Sequence, residues 1–183
     1  YDEFISRISE AMKKVTFGNT AEQKELDMGP LISAAALQRV EDKVAKAVSQ
    51  GAKVLLGGKR HGDKGFFYQP TVLVDVKQDM PIMHEEVFGP VLPVATFKTL
   101  DEAIAMANDS EYGLTSSIYT SNINTAMKAL KQLKFGETYI NRENFEAMQG
   151  FHAGWRKSGV GGADGKHGLQ EYLQTHVAYL QFH

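Results

Sequence analysis

Apolar residues at the start of the chain recur at helical spacing. Phe4, Ile5, Ile8, Met12 and Val15 share one side, with Arg7, Glu10 and Lys13 on the other. The pattern predicts an amphipathic helix. From Gly18 to Pro30 the chain is polar and turn-rich, which predicts a connecting loop. A second helix is predicted over 34–50. Ser33 stands ready as its N-cap, Leu37, Val40, Ala47 and Val48 lie on or near one stripe, and Gly51 offers a left-handed stop. Residues 53–56 then read as a short strand closed by Gly57-Gly58, and 66–76 as one or two strands around Pro70.

From Val91 the pattern becomes regular, with an apolar run at 91–97, a helical stretch at 100–108, a β-rich run at 114–120, a helix at 122–133 and a short run at 138–141. Alternation of this kind predicts an α/β fold built on parallel strands with right-handed crossovers. Thr99 and Glu102 have capping-box spacing, and Ser121 is placed to cap the next helix. Beyond Asn141 the chain is irregular to about Gly165, long enough to suit a functional loop. A short helix through Tyr172 follows, and then an alternating run at 176–182 that suits a strand with one buried face.

Composition narrows the function classes. The 183 residues are 43% hydrophobic and 23% charged, a balance that supports a folded chain with one hydrophobic core. A net charge of -2 gives no cationic field for nucleic acid, and no run approaches the roughly eighteen apolar residues of a membrane helix. Cysteine is absent, which removes disulfides, thiolate metal sites and a cysteine nucleophile from this chain. The six histidines are scattered without a close pair at ligand spacing, so no metal site is expected. The chain opens Tyr1-Asp2-Glu3-Phe4-Ile5 inside a helical pattern, with neither an initiator Met nor the basic and apolar regions of a signal peptide. A processed product or a piece of something longer is therefore expected.

Two segments invite a chemical reading. Ser158-Gly159-Val160-Gly161-Gly162 has the glycine density of a phosphate loop but lacks its Lys-Ser/Thr ending, so a turn with positive φ is expected there. His84-Glu85-Glu86-Val87-Phe88-Gly89-Pro90 places two carboxylates and an aromatic ring just ahead of an apolar strand, and ligands of open α/β sheets gather at strand ends. By itself the same segment also fits a solvated acidic pair and a core Phe before a turn.

Taken together, the motifs are familiar. Glu85-Glu86-Val87-Phe88-Gly89-Pro90-Val91-Leu92-Pro93 followed by Ala107-Asn108-Asp109-Ser110-Glu111-Tyr112-Gly113-Leu114 resembles the carboxyl-terminal part of the catalytic domain of NAD(P)-dependent aldehyde dehydrogenases. Gly29-Pro30-Leu31-Ile32, the run from Gly136 to Asn141, and Lys157-Ser158-Gly159 agree in the same order. The stretch from Glu143 to Gly159 looks most like the family's bacterial lactaldehyde and glycolaldehyde dehydrogenases.

The resemblance implies a Rossmann-like catalytic half over 1–173, a C-terminal oligomerisation strand at 174–183, and a homo-oligomeric, cytoplasmic enzyme. It implies NAD or NADP as cofactor, with NAD favoured, and a small aldehyde as substrate, with neither nucleic acid nor membrane as partner. Glu86 corresponds to the carboxylate that holds the nicotinamide ribose, and Phe88 to the ring beside the nicotinamide, whereas Glu85 reads as structural. Where many relatives carry Phe in the loop ahead of Gly154, this chain has His152, whose imidazole can donate and accept and so suits a hydroxylated aldehyde. Glu146 on the same loop is a candidate acceptor for a substrate hydroxyl. The competing readings are a His152 bonded to a backbone carbonyl and a Glu146 in solvent. Trp155 and Phe151 read as loop anchors. The family's cysteine nucleophile and glutamate base correspond to positions upstream of Tyr1, so the chain is expected to be a carboxyl-terminal piece, inactive alone, with no catalytic residue of its own. A non-catalytic binding or assembly module, or a piece of a relative acting on another substrate such as a semialdehyde, is compatible with the same motifs.

Overall fold

The computed structural model describes all residues, 1–183, and divides into two compact units, Tyr1–Phe97 and Lys98–His183.

In the first unit, α1 (Asp2–Lys13) forms as its periodicity predicts, although no residue in it is fully buried. Helix α2 (Ala34–Ser49) supplies the core. The Ser33 side chain accepts from Ala36 N, and Gly51 beyond the helix takes φ 110. Leu37, Val40, Val44 and Ala47 fall on one stripe and are all buried. Val48, expected on that stripe, is instead 44% exposed, and Val44 takes its place because it continues the 37, 40, 44, 47 progression. The stripe packs with Ala52, Tyr68, Leu73, Val76, Met80 and Ile82.

Strand β2 (Thr71–Val74) lies between β1 (Lys53–Leu56), antiparallel to it, and β3 (Val91–Pro93), parallel to it. A central strand is covered on both faces, and Thr71, Val72 and Leu73 are accordingly 0% exposed. The buried Thr71 hydroxyl is satisfied, donating to the Gln69 carbonyl at 2.7 Å and accepting from Gly58 N at 2.8 Å. Truncating Leu73 to Ala at this depth costs about 2–5 kcal/mol.

In the second unit, α3 (Leu100–Asn108) precedes β4 (Thr115–Ile118), and α4 (Ile123–Gln132) connects β4 to β5 (Glu137–Ile140), which pairs with it in parallel. The run of strands read from the sequence is thus shared between two ladders, with β3 taking β2 as its neighbour and β4 taking β5. Thr99 caps α3 by accepting from Glu102 N, and the Glu102 carboxylate reaches back to Lys98 N, one residue beyond the usual box. The cap of α4 is Asn122 rather than Ser121. Its side-chain oxygen accepts from both Asn124 N and Thr125 N, two orphan donors that a hydroxyl one residue further out is not placed to serve. Asn141 closes β5 with φ 54, a left-handed conformation that Asn tolerates, and its amide exchanges two 2.8 Å bonds with the Thr120 backbone.

The loop after Asn141 contains a two-residue ladder, β6 (His152–Ala153) against β7 (Gly162–Ala163), followed by α5 (Gly165–Glu171). The turn expected among Gly159, Gly161 and Gly162 is corrected. None has a left-handed φ; Gly159 is extended at φ 171, and Gly162 serves in the ladder instead. Residues 173–183 form no regular element, pair with no strand of this chain and are all exposed. No helix is long and apolar enough to cross a membrane.

Candidate functional site

The Glu85-Glu86-Val87-Phe88-Gly89-Pro90 segment is held by α2 at two points. Lys43 Nζ donates to the Glu85 carboxylate at 2.9 Å and to the Glu86 main-chain oxygen at 3.0 Å. Glycine at 89 lets the backbone press on Val40, since a Cβ there would lie 2.6 Å from its methyl. Pro90 O then accepts from Thr71 N at 2.8 Å, which delivers the chain into β3. The Lys43 ammonium bonded to Glu85 holds that carboxyl below the usual carboxylate range. Glu85 is therefore committed. The Glu86 carboxylate is exposed and makes no ion pair or hydrogen bond within the chain.

Phe88 resolves the ambiguity in the sequence. It is no core residue, being 80% exposed, and it sits at φ 49, a left-handed conformation unfavourable for a bulky aromatic. The backbone is thus strained in a way that holds a ring face out of the protein beside an uncommitted carboxylate.

The second unit carries Glu146 and His152. Its loop is fastened by contacts between motifs far apart in sequence. Arg156 Nη1 donates to the carbonyls of Asn108 and Ser110, and Nη2 to that of Lys134. Gly113 N donates to Ser158 Oγ, Trp155 N to Gly113 O, and Lys157 pairs with Glu111 at 2.6 Å. The Asn108-to-Gly113 and Lys157-Ser158-Gly159 motifs therefore form one structure. Trp155 anchors through its backbone while its side chain is half exposed, and Phe151 packs on His167 with centroids 5.4 Å apart. On the other side of the loop, Asn144 binds Ser117 Oγ and, at 3.0 Å, Thr115 Oγ1 of β4.

His152 bonds no backbone carbonyl. Its Nδ1 is buried and lies 3.1 Å from Glu137 Oε2 of β5, while Nε2 is neither buried nor bonded within the chain. The same Glu137 oxygen accepts from the Tyr139 hydroxyl at 2.8 Å. Burial first, then the adjacent Glu137 carboxylate, pushes the Tyr139 hydroxyl up to about 12, with Glu146 adding to the rise and Arg142 opposing it. Glu146 is exposed yet close enough to Tyr139 to be felt electrostatically. Sequence reasoning passed over Glu137 and Tyr139. The available signal was alternation, which puts positions 137 and 139 of a strand on one face and so pairs a carboxylate with a phenol. No group of three or more His, Asp or Glu side chains is arranged to hold a metal ion.

A family model for the aldehyde dehydrogenase family matches residues 1–178.

The chain belongs to the aldehyde dehydrogenase family.

It is 71% identical to lactaldehyde dehydrogenase of Escherichia coli (strain K12) over 181 residues, 99% of this chain and 38% of that enzyme. The crystal structure of E. coli lactaldehyde dehydrogenase superposes with a TM-score of 0.96 at 72% identity, covering 100% of this chain and 38% of its own. A structure of 3,6-anhydro-L-galactose dehydrogenase in complex with NAP follows at TM-score 0.88 and 45% identity, over 95% of this chain and 37% of its own. The chain thus spans under two fifths of the length of the relatives it matches. Within this aldehyde dehydrogenase segment, the four residues singled out from the sequence divide by unit, Glu86 and Phe88 in the first and Glu146 and His152 in the second.

Proposed function

We propose that the chain is the carboxyl-terminal part of an NAD(P)-dependent aldehyde dehydrogenase that oxidises a small hydroxyaldehyde, lactaldehyde or glycolaldehyde, to its acid. The observation that carries this reading is the imidazole of His152. It is buried at Nδ1 and open at Nε2 in a segment 71% identical to a lactaldehyde dehydrogenase. A nitrogen of this kind recognises a hydroxyl, whereas a hydrocarbon ring at the same position cannot.

Each of the four residues has a role set by its surroundings. The Glu86 carboxylate accepts the two hydroxyls of the nicotinamide ribose, a task open to it because Lys43 is engaged by Glu85. The Phe88 ring orients the flat nicotinamide. The chemistry supplied by a bound nicotinamide is acceptance of hydride. His152 and Glu146 bind the hydroxyl carried beside the aldehyde carbon. The cysteine nucleophile and glutamate base belong to the part of the enzyme outside this chain, and residues 174–183 pair with a neighbouring subunit.

The test compares kcat/KM for lactaldehyde with that for an unsubstituted aldehyde of similar size in the complete enzyme. Losing one hydroxyl-binding group removes about 1–2 kcal/mol of selective binding, so His152→Phe and Glu146→Ala each lower the ratio by roughly five- to thirtyfold. An unchanged ratio in both variants refutes the substrate assignment. The 183-residue chain alone shows no NAD-dependent oxidation of either hydroxyaldehyde, and measurable turnover by it refutes the assignment as a part.

A further inference from the structure

The Glu137 carboxylate is 13% exposed, and the Tyr139 hydroxyl is the one hydrogen-bond donor aligned on it within the chain. A largely covered carboxylate with a single neutral protein donor is under-served, because its oxygens have room for several. His152 Nδ1 is the complementary case, a buried ring nitrogen 3.1 Å from that carboxylate with no other partner. The two atoms are within hydrogen-bonding distance but are not aligned as a bond. A bare Nδ1 lone pair facing a carboxylate oxygen would be repulsive for both atoms. A protonated Nδ1 turns the same approach into a charge-assisted bond.

We propose that Glu137, itself held by Tyr139, is a positioning residue that fixes His152 with its proton on Nδ1, leaving Nε2 as a hydrogen-bond acceptor for the substrate hydroxyl. The inference deepens the hydroxyaldehyde reading and rests on it for the identity of the hydrogen-bond donor. It assigns direction as well as contact. The substrate hydroxyl donates its one hydrogen to His152 Nε2, shared with the Glu146 carboxylate in a three-centre bond, and a substrate whose hydroxyl is replaced by an ether oxygen, which can only accept, is rejected.

The charged neighbours do not alter this arrangement. Arg142 lies over the Tyr139 ring at 5.5 Å and donates to the Phe145 carbonyl, while Glu146 is exposed. Neither is bonded to Glu137. The Tyr139 hydroxyl, pushed up to about 12, stays protonated and remains the donor to Glu137 throughout the neutral range.

Nitrogen-15 shifts of the histidine rings in the 183-residue chain report the tautomer directly. The measurement is made at about pH 8.5, roughly two units above the ordinary value of a free imidazole. Wild type is expected to show a protonated Nδ1 and a bare Nε2 at His152. Glu137→Gln keeps this pattern because its amide oxygen still accepts, whereas Glu137→Val loses it. A protonated Nε2 in the wild-type chain overturns the proposal, whatever the fate of the variants. In the complete enzyme, Glu137→Val lowers the hydroxyaldehyde preference about as much as His152→Phe, roughly tenfold, and the double variant loses no more. Preference lost in His152→Phe but kept in Glu137→Val also overturns the positioning role. Preference kept in both His152→Phe and Glu146→Ala overturns the substrate reading instead, and the nitrogen shifts then still decide the role of Glu137.

Discussion

Replacing Gly136 with Ala adds one methyl group at the place where β5 begins and β6 crosses it. A Cβ built at Gly136 overlaps the carbonyl oxygen of Ala153, reaches the carbonyl carbon at 2.8 Å and lies 3.4 Å from the Leu114 oxygen. All three neighbours are backbone, so none can swing aside as a side-chain tip would. Even close C–H···O approaches keep carbon and oxygen about 3.3 Å apart, so β6 must retreat as a unit. Overpacking of this kind costs about 1–3 kcal/mol, and the stiffer unfolded chain returns about 0.4–1 kcal/mol. The expected net loss is about 1–2 kcal/mol, or roughly 2–8 °C in melting temperature for a chain of this length.

The proper control is Gly159→Ala. Gly159 is extended at φ 171 and its added methyl would find only ordinary contacts at 3.6 Å or more, so stability is expected within about 0.5 kcal/mol of wild type. Thermal unfolding followed by circular dichroism measures both variants. Amide and ring spectra report whether His152 and its ladder partner Ala163 have moved. If Gly136→Ala melts with Gly159→Ala and leaves the His152 resonances in place, then the approach of β5 to β6 does not position His152, and the reasoning from close contact fails.

Two further outcomes are expected. Phe88→Asn relieves about 1 kcal/mol of left-handed strain and removes no buried contact, so the melting temperature of the chain holds or rises, while KM for the nicotinamide dinucleotide in the complete enzyme rises about tenfold. A fall in stability with an unchanged KM would reverse the assignment of Phe88 from ligand surface to packing. Asp27 accepts 2.7 Å bonds from Thr16 N and Thr16 Oγ1, and these, the backbone bond first, hold its carboxyl below the ordinary value. With the folded value lowered, its stabilisation is complete above the unfolded value of about 3.9 and is lost as pH falls through the folded one. Urea midpoints of Asp27→Asn measured from about pH 5 to about pH 2 are therefore expected to fall less steeply than wild type, and parallel curves would contradict the linkage.

The parts of the fold legible in the sequence are those set by local chemistry. Ser33 and Thr99 mark helix starts because a hydroxyl placed before an apolar stripe can satisfy the first free amides wherever the helix ends up. Ser121 misled because Asn122 is also a good cap, and two adjacent capping residues leave the choice to the backbone entry angle, which is a tertiary property. Val48 misled for a similar reason: a stripe wider than the contact leaves its edge in solvent. At the candidate site, His152 was legible through a family pattern, but its partner Glu137 was not, since fourteen intervening residues conceal that β6 returns to β5. The opposite ambiguity surrounded Phe88, where composition favoured a core residue and only the exposed, left-handed backbone decides against it.

In both units the proposed ligand group is free because a neighbour is not. Lys43 could have neutralised either carboxylate of the Glu85-Glu86 pair. By bonding the side chain of one and only the main chain of the other, it immobilises Glu86 while leaving its carboxylate unsatisfied. By the proposal, Glu137 stands in the same relation to His152, facing the inner nitrogen at 3.1 Å and leaving the outer one unbonded. An uncommitted polar group on a mobile segment would lose its advantage to ordering entropy when the ligand arrived. Holding the segment through the adjacent group removes that cost without using the binding atoms. The strain at Phe88 belongs to the same arrangement, because a backbone gripped at Lys43, Val40 and Thr71 cannot relax to bury the ring. Releasing the grip should therefore weaken ligand binding through order rather than contact. Lys43→Met, which keeps the stem but loses the ammonium, touches neither proposed ligand group. It should raise KM for the dinucleotide while leaving the preference between hydroxylated and unsubstituted aldehydes intact.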